Sequence, residues 1–430
     1  MNVSKNKPFD YFEFETADVG GIKLHVKNLP WLTEAVGIGV MIRAGGRHDE
    51  TGKEGLAHFF EHLPFNGCEG WPTNEHIKEQ EKTMFLGTLN ANTNFERTLY
   101  HGKVRRRDLV KALLFLKNFI FKPILDEDEI RREKGVISQE IWNEFNNEKN
   151  IEFSKRISRA MYSNPPFSAV SNILGYVDTI SAFEKVDFQE FHSKYYVRQN
   201  TEVVMVGAIT MEDSISLVRD HFLGSVPDTA SKSVQFMEEW PNPNESVIRL
   251  SARDYFGLSE SATPKHSRIA LEWITAAVSP NLCHLNQDFL SGVIYDKIRN
   301  DFGCTYSPSV QYHQHGDHDH MKICLTVEPS MCDRTVGALQ VIRQNIECGD
   351  CEYLPKFNRE KGTIISSLTV ADHKIQDILR ISVNDLSIFG SIQSVAKDIS
   401  QLERITYEQI SAYYTERLTP EKCLLTVIDP

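Results

Sequence analysis

The stretches VDFQEFHSKYYVRQNTEVVMVGAIT (186–210) and ITYEQISAYYTERLTPEKCLLTVIDP (405–430) can be laid on each other with short gaps. Each predicts a helix bearing aromatic residues, with a Tyr-Tyr pair, then a polar turn and an apolar strand. The two match in pattern more than in identity. Self-similarity of this kind indicates a duplicated unit of roughly 200 residues.

A linker is predicted between the two copies. The stretch 225–246, SVPDTASKSVQFMEEWPNPNES, is rich in Pro, Ser, Asn and Asp, which is typical of a connecting segment. The chain has 430 residues, too many for one ordinary core. We therefore predict an N-terminal domain over 1–225, a linker over 226–245 and a homologous C-terminal domain over 246–430.

Strands and helices are mixed within each predicted domain. The stretch AVGIGVMIRAG (35–45) alternates apolar residues, which predicts a strand, and 246–254 and 320–329 also predict strands. In contrast, LVKALLFLKNFIF (109–121) is apolar at helical spacing. The prediction is an α+β protein with two tandem homologous domains, each a mostly antiparallel mixed sheet with helices packed on one face.

Composition excludes some classes of function. The 41% hydrophobic and 25% charged residues are typical of a soluble globular protein. A net charge of −12 argues against a nucleic-acid partner. We see no signal peptide, transit peptide or transmembrane segment, so we expect no membrane association and a cytoplasmic location. The eight cysteines lack the dense spacing of a disulfide scaffold, which agrees with that location.

A short helix is predicted around GLAHFFEHLPFNG (55–67). Thr51 and Glu54 have the spacing of a capping box, which predicts that the helix begins just before this stretch. Pro64 disfavours the helical conformation at Leu63, so we expect the helix to end there.

The predicted helix carries a histidine pair with metal-ligand spacing. His58 and His62 lie one turn apart on the same face, so both imidazoles can reach one ion. Glu61 adjoins His62 and can contact a water without binding the metal. Such a pair also arises by chance, and a buried histidine is usually only hydrogen-bonded. A third ligand is needed to decide.

The best candidate for that ligand lies in DEDEIRREKGVISQEIWNEF (126–145). Glu133 and Glu140 are seven residues apart, close to two helical turns, and share a face with Ile137. Alone, this stretch favours a solvated acidic helix. Beside the histidine pair, Glu140 would supply the missing oxygen and complete a site of two histidines and one glutamate that keeps one position open.

The HxxEH order is that of the inverted zincins. The chain resembles, over essentially its whole length, the pitrilysin family of zinc endopeptidases, which includes the mitochondrial processing peptidase and insulin-degrading enzyme. The resemblance implies one zinc per chain, held by His58, His62 and Glu140, with Glu61 as general base. Counted from His62, the family's usual spacing would place this glutamate at position 139, which is Gln139 here. Glu140 lies one residue further along the chain.

Three further features support the resemblance. Glu133 matches a glutamate that orients a zinc ligand in the family. Asn90 and Ala91, in GTLNANTNFERTLYH (87–101), fit the Asn-Ala pair of an edge strand that binds an extended substrate. Arg299 and Tyr306 resemble an Arg…Tyr element that, in the family, points across a closed chamber at the zinc site and stabilises the oxyanion.

The resemblance implies a zinc endopeptidase acting on peptides or unfolded polypeptide segments. Each chain would form half of a clam-like chamber, with a homodimer as the simpler assembly and a heterodimer with an inactive homologue as the alternative. A different class of function stays open, a non-catalytic structural or partner subunit of a processing-peptidase-like complex. Such subunits tend to lose motif residues, and this chain retains them.

Three other motifs predict little chemistry. HQHGDHDH (313–320) predicts a solvated hairpin tip. Cys348 and Cys351 form a lone CxxC, which favours free thiols over a zinc or redox site. Gly37-x-Gly39 lacks the third glycine of a dinucleotide-binding loop.

Overall fold

A computed structural model describes residues 10–32, 34–162, 172–229, 242–301, 303, 308–370 and 373–430. It divides into two compact units. The first holds the described residues up to 146 together with 172–229 and 373–395, and the second holds the remainder.

Eleven strands are present in the described residues. In chain order they are β1 (Glu15–Val19), β2 (Ile22–Asn28), β3 (Ala35–Ile42), β4 (Asn90–Thr93), β5 (Thr98–Arg105), β6 (Thr201–Gly207), β7 (Val247–Ser251), β8 (Ser267–Ala276), β9 (Ser309–Gln314), β10 (His318–Val327) and β11 (Cys423–Asp429).

The α-helices of the described residues are numbered in the same way. They are α1 (Leu56–His62), α2 (Asn74–Thr83), α3 (Leu109–Phe121), α4 (Glu127–Phe145), α5 (Glu148–Met161), α6 (Val177–Ala182), α7 (Lys185–Tyr195), α8 (Met211–His221), α9 (Ala252–Phe256), α10 (Pro280–Ile294), α11 (Cys332–Glu347), α12 (Leu354–Val370), α13 (Ile375–Phe389), α14 (Val395–Arg404) and α15 (Tyr407–Glu416).

The first unit is built on a six-stranded sheet with the order β1-β2-β6-β3-β5-β4. Only β2 and β6 run parallel, and every other pair is antiparallel. Val36, Ile38, Val40 and Ile42 of β3 are fully buried, as their alternation predicts. β4 forms one edge of the sheet, and α1 packs beside it.

The opposite face of this sheet is covered by α13, a helix from late in the sequence. Leu379 and Val383 of α13 lie in one buried cluster with Met41 of β3. Gly37 and Gly39 permit this approach, because a Cβ at Gly37 would lie 2.5 Å from the Ile375 side chain and one at Gly39 would lie 3.1 Å from that of Leu379. The Gly37-x-Gly39 pair therefore serves helix packing.

The second unit repeats the arrangement with a five-stranded sheet, β7-β11-β8-β10-β9. β7 and β11 run parallel, as β2 and β6 do, and the other pairs are antiparallel. Helix α15 leads into β11 as α7 leads into β6. The predicted duplication and the α+β fold class of two tandem domains with mixed sheets are confirmed.

The local predictions can now be compared with the structure. The helix predicted over 109–121 is α3, and the predicted strands correspond to β3, β7 and β10, although β7 ends at Ser251. Most of the predicted linker over 226–245 lies outside the described residues, and the domain boundaries stay a prediction. None of the described helices is long and apolar enough to cross a membrane.

The hairpin is confirmed, because β9 and β10 pair around a tip at residues 315–317. The expectation that this tip is solvated is wrong, because His318 is fully buried and its Nδ1 lies 2.8 Å from the Asp317 carboxylate. His320 Nε2 lies 3.0 Å from Oε2 of Glu272, but in the described part of the chain none of these histidines belongs to a group of three or more converging ligands. Cys348 and Cys351 are exposed free thiols.

Asp319 of β10 is a buried carboxylate, and the hydrogen bonds that it accepts from the described residues come from neutral donors. Its Oδ2 accepts from the Val278 N–H at 2.9 Å and the Cys283 thiol at 3.4 Å, and its Oδ1 accepts from the Gln314 amide at 3.4 Å. Burial raises the pKa of Asp319 from 3.8 to about 6. Since this pKa exceeds the unfolded value, the fold favours the protonated form.

We expect the stabilising contribution of Asp319 to be complete below pH 4 and lost as the pH rises through 6. In Asp319→Asn this pH dependence should vanish, which makes the variant more stable than the parent at pH 8 by up to about 3 kcal/mol. Calorimetric unfolding of both proteins at pH 5 and pH 8 measures the difference. Equal pH dependence in the two proteins would contradict the assignment.

Candidate metal centre

Helix α1 begins later than predicted, and a different residue caps it. Its N-cap is Gly55, with φ of 91°, and the predicted Thr51–Glu54 capping box is wrong. The Asp49 carboxylate accepts instead from the Gly55 N–H at 2.8 Å and from the Ala57 N–H at 2.9 Å. Glu54 accepts from the Gly52 N–H within the preceding turn.

Gly55 is required at this position for two reasons. Its left-handed conformation favours glycine, and a Cβ there would lie 2.8 Å from the Gly175 Cα. The 172–176 loop therefore packs directly against the start of α1. At the other end, α1 stops at His62 as expected, but Leu63 keeps helical dihedral angles in a short 3₁₀ turn that contains Pro64.

Aromatic packing fixes the buried face of α1. The Phe59 ring lies 4.7 Å from that of Phe188, and the Phe60 ring lies 4.8 Å from that of Tyr196. Both phenylalanines are fully buried. Because side chains three or four residues apart share a helix face, anchoring these rings turns His58 and His62 together toward the opposite side.

The two histidines and Glu140 converge on one point. The Nε2 atoms of His58 and His62 are 3.3 Å apart, and each lies 3.9 Å from Oε2 of Glu140. One ligand atom from each side chain lies within 4.8 Å of the others. Across the described ranges, no other group of three or more His, Cys, Asp or Glu side chains meets in this way. The donor set fits a zinc ion.

Helix α4 supplies both carboxylates that contact His62. The Nδ1–H of His62 donates to Oε1 of Glu133 at 2.8 Å, and the Asn66 amide donates to Oε2 of Glu133 at 3.2 Å. Glu140, two turns further on, faces the Nε2 of the same ring. Gln139 instead hydrogen-bonds to Asn143 on the exposed side of the helix.

Charge around the two imidazoles is unequal. Burial and the neighbouring His62 lower the pKa of His58 to about 3, so this ring is neutral. Burial opposes protonation of His62 as well, but the hydrogen bond to Glu133 and the nearby carboxylates outweigh it and raise its pKa. The contact with Glu133 also fixes the proton on Nδ1. The Nε2 atom of His62 then faces the other two candidate metal ligands, His58 and Glu140.

Glu61 lies beside the cluster without joining it. Its side chain is 7% exposed, and the Thr93 hydroxyl donates to its Oε2 at 2.6 Å. Burial raises the pKa of Glu61, although the hydrogen bond from Thr93 works in the opposite direction. Thr93, Asn66 and Asp49 were not identified from the sequence, because their contacts arise from the tertiary fold.

Asn90 and Ala91 lie at the start of the edge strand β4, where Ala91 faces Tyr100 of β5. The Asn94 N–H donates to the Arg97 carbonyl, which sets the hydrogen-bonding alternation of the antiparallel pair. By that alternation, the main-chain groups of Asn92 face β5, whereas those of Ala91 and Thr93 point away from it. β4 is the last strand of the sheet, so none of the other described strands pairs with this outer edge.

Arg299 belongs to the second unit, in a π-helical segment over Tyr295–Asp301. Its guanidinium carbon lies 4.7 Å from the centre of the Tyr295 ring. Tyr306 lies outside the described residues. The contribution of this pair to the site stays a prediction.

Family models match both halves of the chain. Residues 31–172 match the insulinase model of peptidase family M16, and residues 182–347 match the model described as the M16 inactive domain. The chain therefore belongs to peptidase family M16, which confirms the predicted family.

Individual relatives agree. An uncharacterised zinc protease from Rickettsia felis is 30% identical over 196 residues, covering 46% of each chain. The β subunit of the mitochondrial processing peptidase from Saccharomyces cerevisiae is 28% identical over 256 residues, covering 59% of this chain and 53% of its own. The matched region thus spans about half the length of these relatives. The similarity supports a peptidase role.

The fold matches a solved structure along nearly its full length. A protease from Helicobacter pylori superposes with a TM-score of 0.77 at 18% identity, covering 97% of this chain and 99% of that one. At this identity the match establishes the fold alone.

Proposed function

We propose that the protein is a zinc-dependent endopeptidase that hydrolyses peptides or unfolded polypeptide segments. The observation that carries the proposal is the convergence of His58, His62 and Glu140 next to the buried carboxylate of Glu61. Two histidines and one carboxylate form a ligand set that leaves a coordination position open. One zinc ion per chain would be held there.

The chain's own groups divide the chemistry between them. Zinc, when bound, lowers the pKa of a water molecule and polarises the scissile carbonyl. Glu61 accepts the proton of the attacking water and later returns it to the leaving amine. Thr93 holds the Glu61 carboxylate in place, and Glu133 orients His62. We propose Arg299 and Tyr306 as donors to the developing oxyanion.

The edge strand β4 supports the choice of an extended substrate. Main-chain hydrogen bonds to an added strand provide affinity without demanding a particular side chain. We propose that Ala91 binds this strand through its outward main-chain groups and Asn90 through its exposed side chain. Folded proteins are poor substrates for such an edge, because their strands already have partners.

Replacing Ala91 by proline tests strand addition. The outward N–H of Ala91 would be lost, while the inward hydrogen bonds of β4 stay intact, and proline is tolerated at a sheet edge in this orientation. We expect KM for a peptide to rise about five- to tenfold, with kcat and zinc content unchanged. Ala91→Ser, which keeps the N–H, is the matched control. An unchanged KM in Ala91→Pro would contradict the proposed mode of binding.

Digestion of an unbiased peptide mixture tests the function as a whole. We expect internal cleavage that stops on addition of a chelator and resumes when zinc is restored, with one zinc per chain by metal analysis. Chains that hold zinc but cleave nothing, both when purified alone and when isolated in their native particles, would favour the non-catalytic subunit.

The assembly is a further proposal. We propose a homodimer, since one chain carries both the histidine motif and the Arg299–Tyr306 element. Sizing of the native particle together with activity distinguishes it from a heterodimer, because a chain that needs an inactive homologue would be inactive when purified alone. The cytoplasmic location also stays a prediction.

A further inference from the structure

Arg97 lies in the tight turn that leads from the edge strand β4 into β5, and hydrogen bonds hold this turn in place. The Asn94 side chain accepts from the N–H groups of Glu96 and Arg97 at 2.9 and 2.8 Å. The Gly46 N–H donates to the Asn94 carbonyl at 2.9 Å. Because the turn is fixed before a substrate binds, a contact made from it costs little ordering entropy.

The Arg97 side chain is a buried cation. It is 5% exposed, and burial lowers its pKa to about 10, although the nearby Glu61 works in the opposite direction. Arg97 therefore keeps its charge at neutral pH. Within the described ranges it forms no ion pair, whereas the similarly buried Arg47, which packs on the same turn, contacts Glu96 at 2.9 Å. Burying a cation without a countercharge is costly.

The guanidinium of Arg97 also has unused hydrogen-bond donors. Its Nη1 donates to Oδ1 of Asn92 at 2.6 Å and lies 3.5 Å from the Asn92 carbonyl oxygen. Its Nε has no hydrogen-bond partner among the described residues. Since arginine has five N–H donors, most of them lack an acceptor in the described part of the chain.

The contact with Asn92 places this positive charge at the proposed substrate edge. Asn92 is an exposed residue of β4, and its side chain lies on the opposite face of the strand from that of Thr93, which contacts Glu61. In a strand added to β4, every second side chain would lie on the Asn92 face. The side chain opposite Asn92 would have its Cβ about 5 Å from the Asn92 Cβ, so a carboxylate at its end can reach the guanidinium.

We propose that Arg97 selects substrates that carry an acidic side chain at this position. The inference rests on the proposed function, since it needs an extended peptide bound along β4. A glutamate or aspartate there would supply the countercharge and accept from the unused donors in a desolvated ion pair. His101, which faces Asn90 on the same side of the hairpin, adds no competing charge at neutral pH, because burial and the nearby Arg97 lower its pKa.

A neutral host peptide with a single central glutamate, glutamine or lysine is the probe. We would label each peptide with fluorescein and measure its binding to the full-length protein with chelator present, so that none is cut. We expect the glutamate peptide to bind about tenfold more tightly than the glutamine peptide, and the lysine peptide to bind more weakly than either. In Arg97→Gln, which keeps a donor for Asn92 but not the charge, the ratio of the first two affinities should approach one.

Arg107→Gln is the matched control, because it removes an equal charge at an exposed position beyond the far end of β5. It should keep the parent's ratio of affinities. A second variant, Asn92→Asp, leaves Arg97 in place and supplies an internal countercharge, so the preference for glutamate should vanish there as well. This variant keeps the test decisive even where Arg97→Gln does not fold.

Equal affinities for the glutamate and glutamine peptides in the parent would overturn the proposal, as would the absence of binding or a preference that survives in Arg97→Gln or Asn92→Asp. The ratio of kcat/KM for the same two peptides, measured with zinc, separates this inference from the proposed function. Cleavage of both at the same kcat/KM would leave the peptidase and exclude the role of Arg97. Preferential binding of the glutamate peptide without any cleavage would retain that role and exclude the peptidase.

Discussion

Peptide hydrolysis is expected to fall by about a hundredfold to ten-thousandfold when Glu61 is replaced by glutamine, while zinc stays bound. Glutamine has nearly the same shape and can still accept the hydrogen bond that Thr93 donates, but it cannot accept a proton from water. Glu61 lies outside the set of three convergent donors, so its replacement leaves that set complete. The measurement is kcat/KM with an internally quenched peptide, alongside zinc content by mass spectrometry.

A Thr93→Val variant separates the charge of Glu61 from its orientation. Valine removes the 2.6 Å contact to the carboxylate without altering the carboxylate itself, so the loss of activity should be smaller than in Glu61→Gln. Undiminished hydrolysis by Glu61→Gln would show that another group accepts the proton. Loss of zinc from that variant would show that Glu61 helps to hold the metal.

The parts of this structure that depend on local periodicity could be predicted from the sequence. Helix α4 is an example. Ile130, Ile137 and Ile141 are its buried residues, and the same 3.6-residue period places Glu133 and Glu140 on one face of the helix, two turns apart. The family's usual distance between the second histidine and the glutamate ligand falls on Gln139 in this sequence, so the count alone did not select Glu140. The helix phase explains the outcome, because Gln139 lies about 100° around the axis from Glu140 and faces solvent.

The features that were missed depend on contacts between distant segments. Thr51 and Glu54 satisfy the capping-box pattern, yet Asp49 caps α1, because the chain folds back so that its carboxylate reaches two N–H groups. In the same way, nothing in the sequence of α13 indicates that it packs on the sheet of the first unit. Gly37 and Gly39 make room for α13 on the sheet, but this role can be recognised only when the position of the helix is known.

The second large effect is expected from His58→Ala, which should lose both zinc and activity. Only His62 and Glu140 would remain as donors, too few for the tetrahedral environment that zinc adopts in proteins. Because His58 Nδ1 is buried and has no hydrogen-bond partner among the described residues, its removal should cost little stability in the absence of metal. Parent and variant should therefore melt at similar temperatures with chelator present, and only the parent should gain stability from zinc. Stoichiometric zinc in purified His58→Ala would contradict the assignment.

Glu133→Gln should have an intermediate effect on the same metal. The glutamine oxygen can still accept from His62 Nδ1, but the negative charge that makes the ring a better donor is lost, and partners of this kind are typically worth ten- to hundredfold in metal affinity. Competition with a chromophoric chelator measures the zinc dissociation constant. Glu144→Gln is the matched control, since Glu144 lies exposed one turn beyond Glu140 on the same helix. Equal zinc affinities in these two variants would mean that the 2.8 Å contact between His62 and Glu133 only supports the fold. His58, His62 and Glu140 would then hold zinc without help from the negative charge of Glu133.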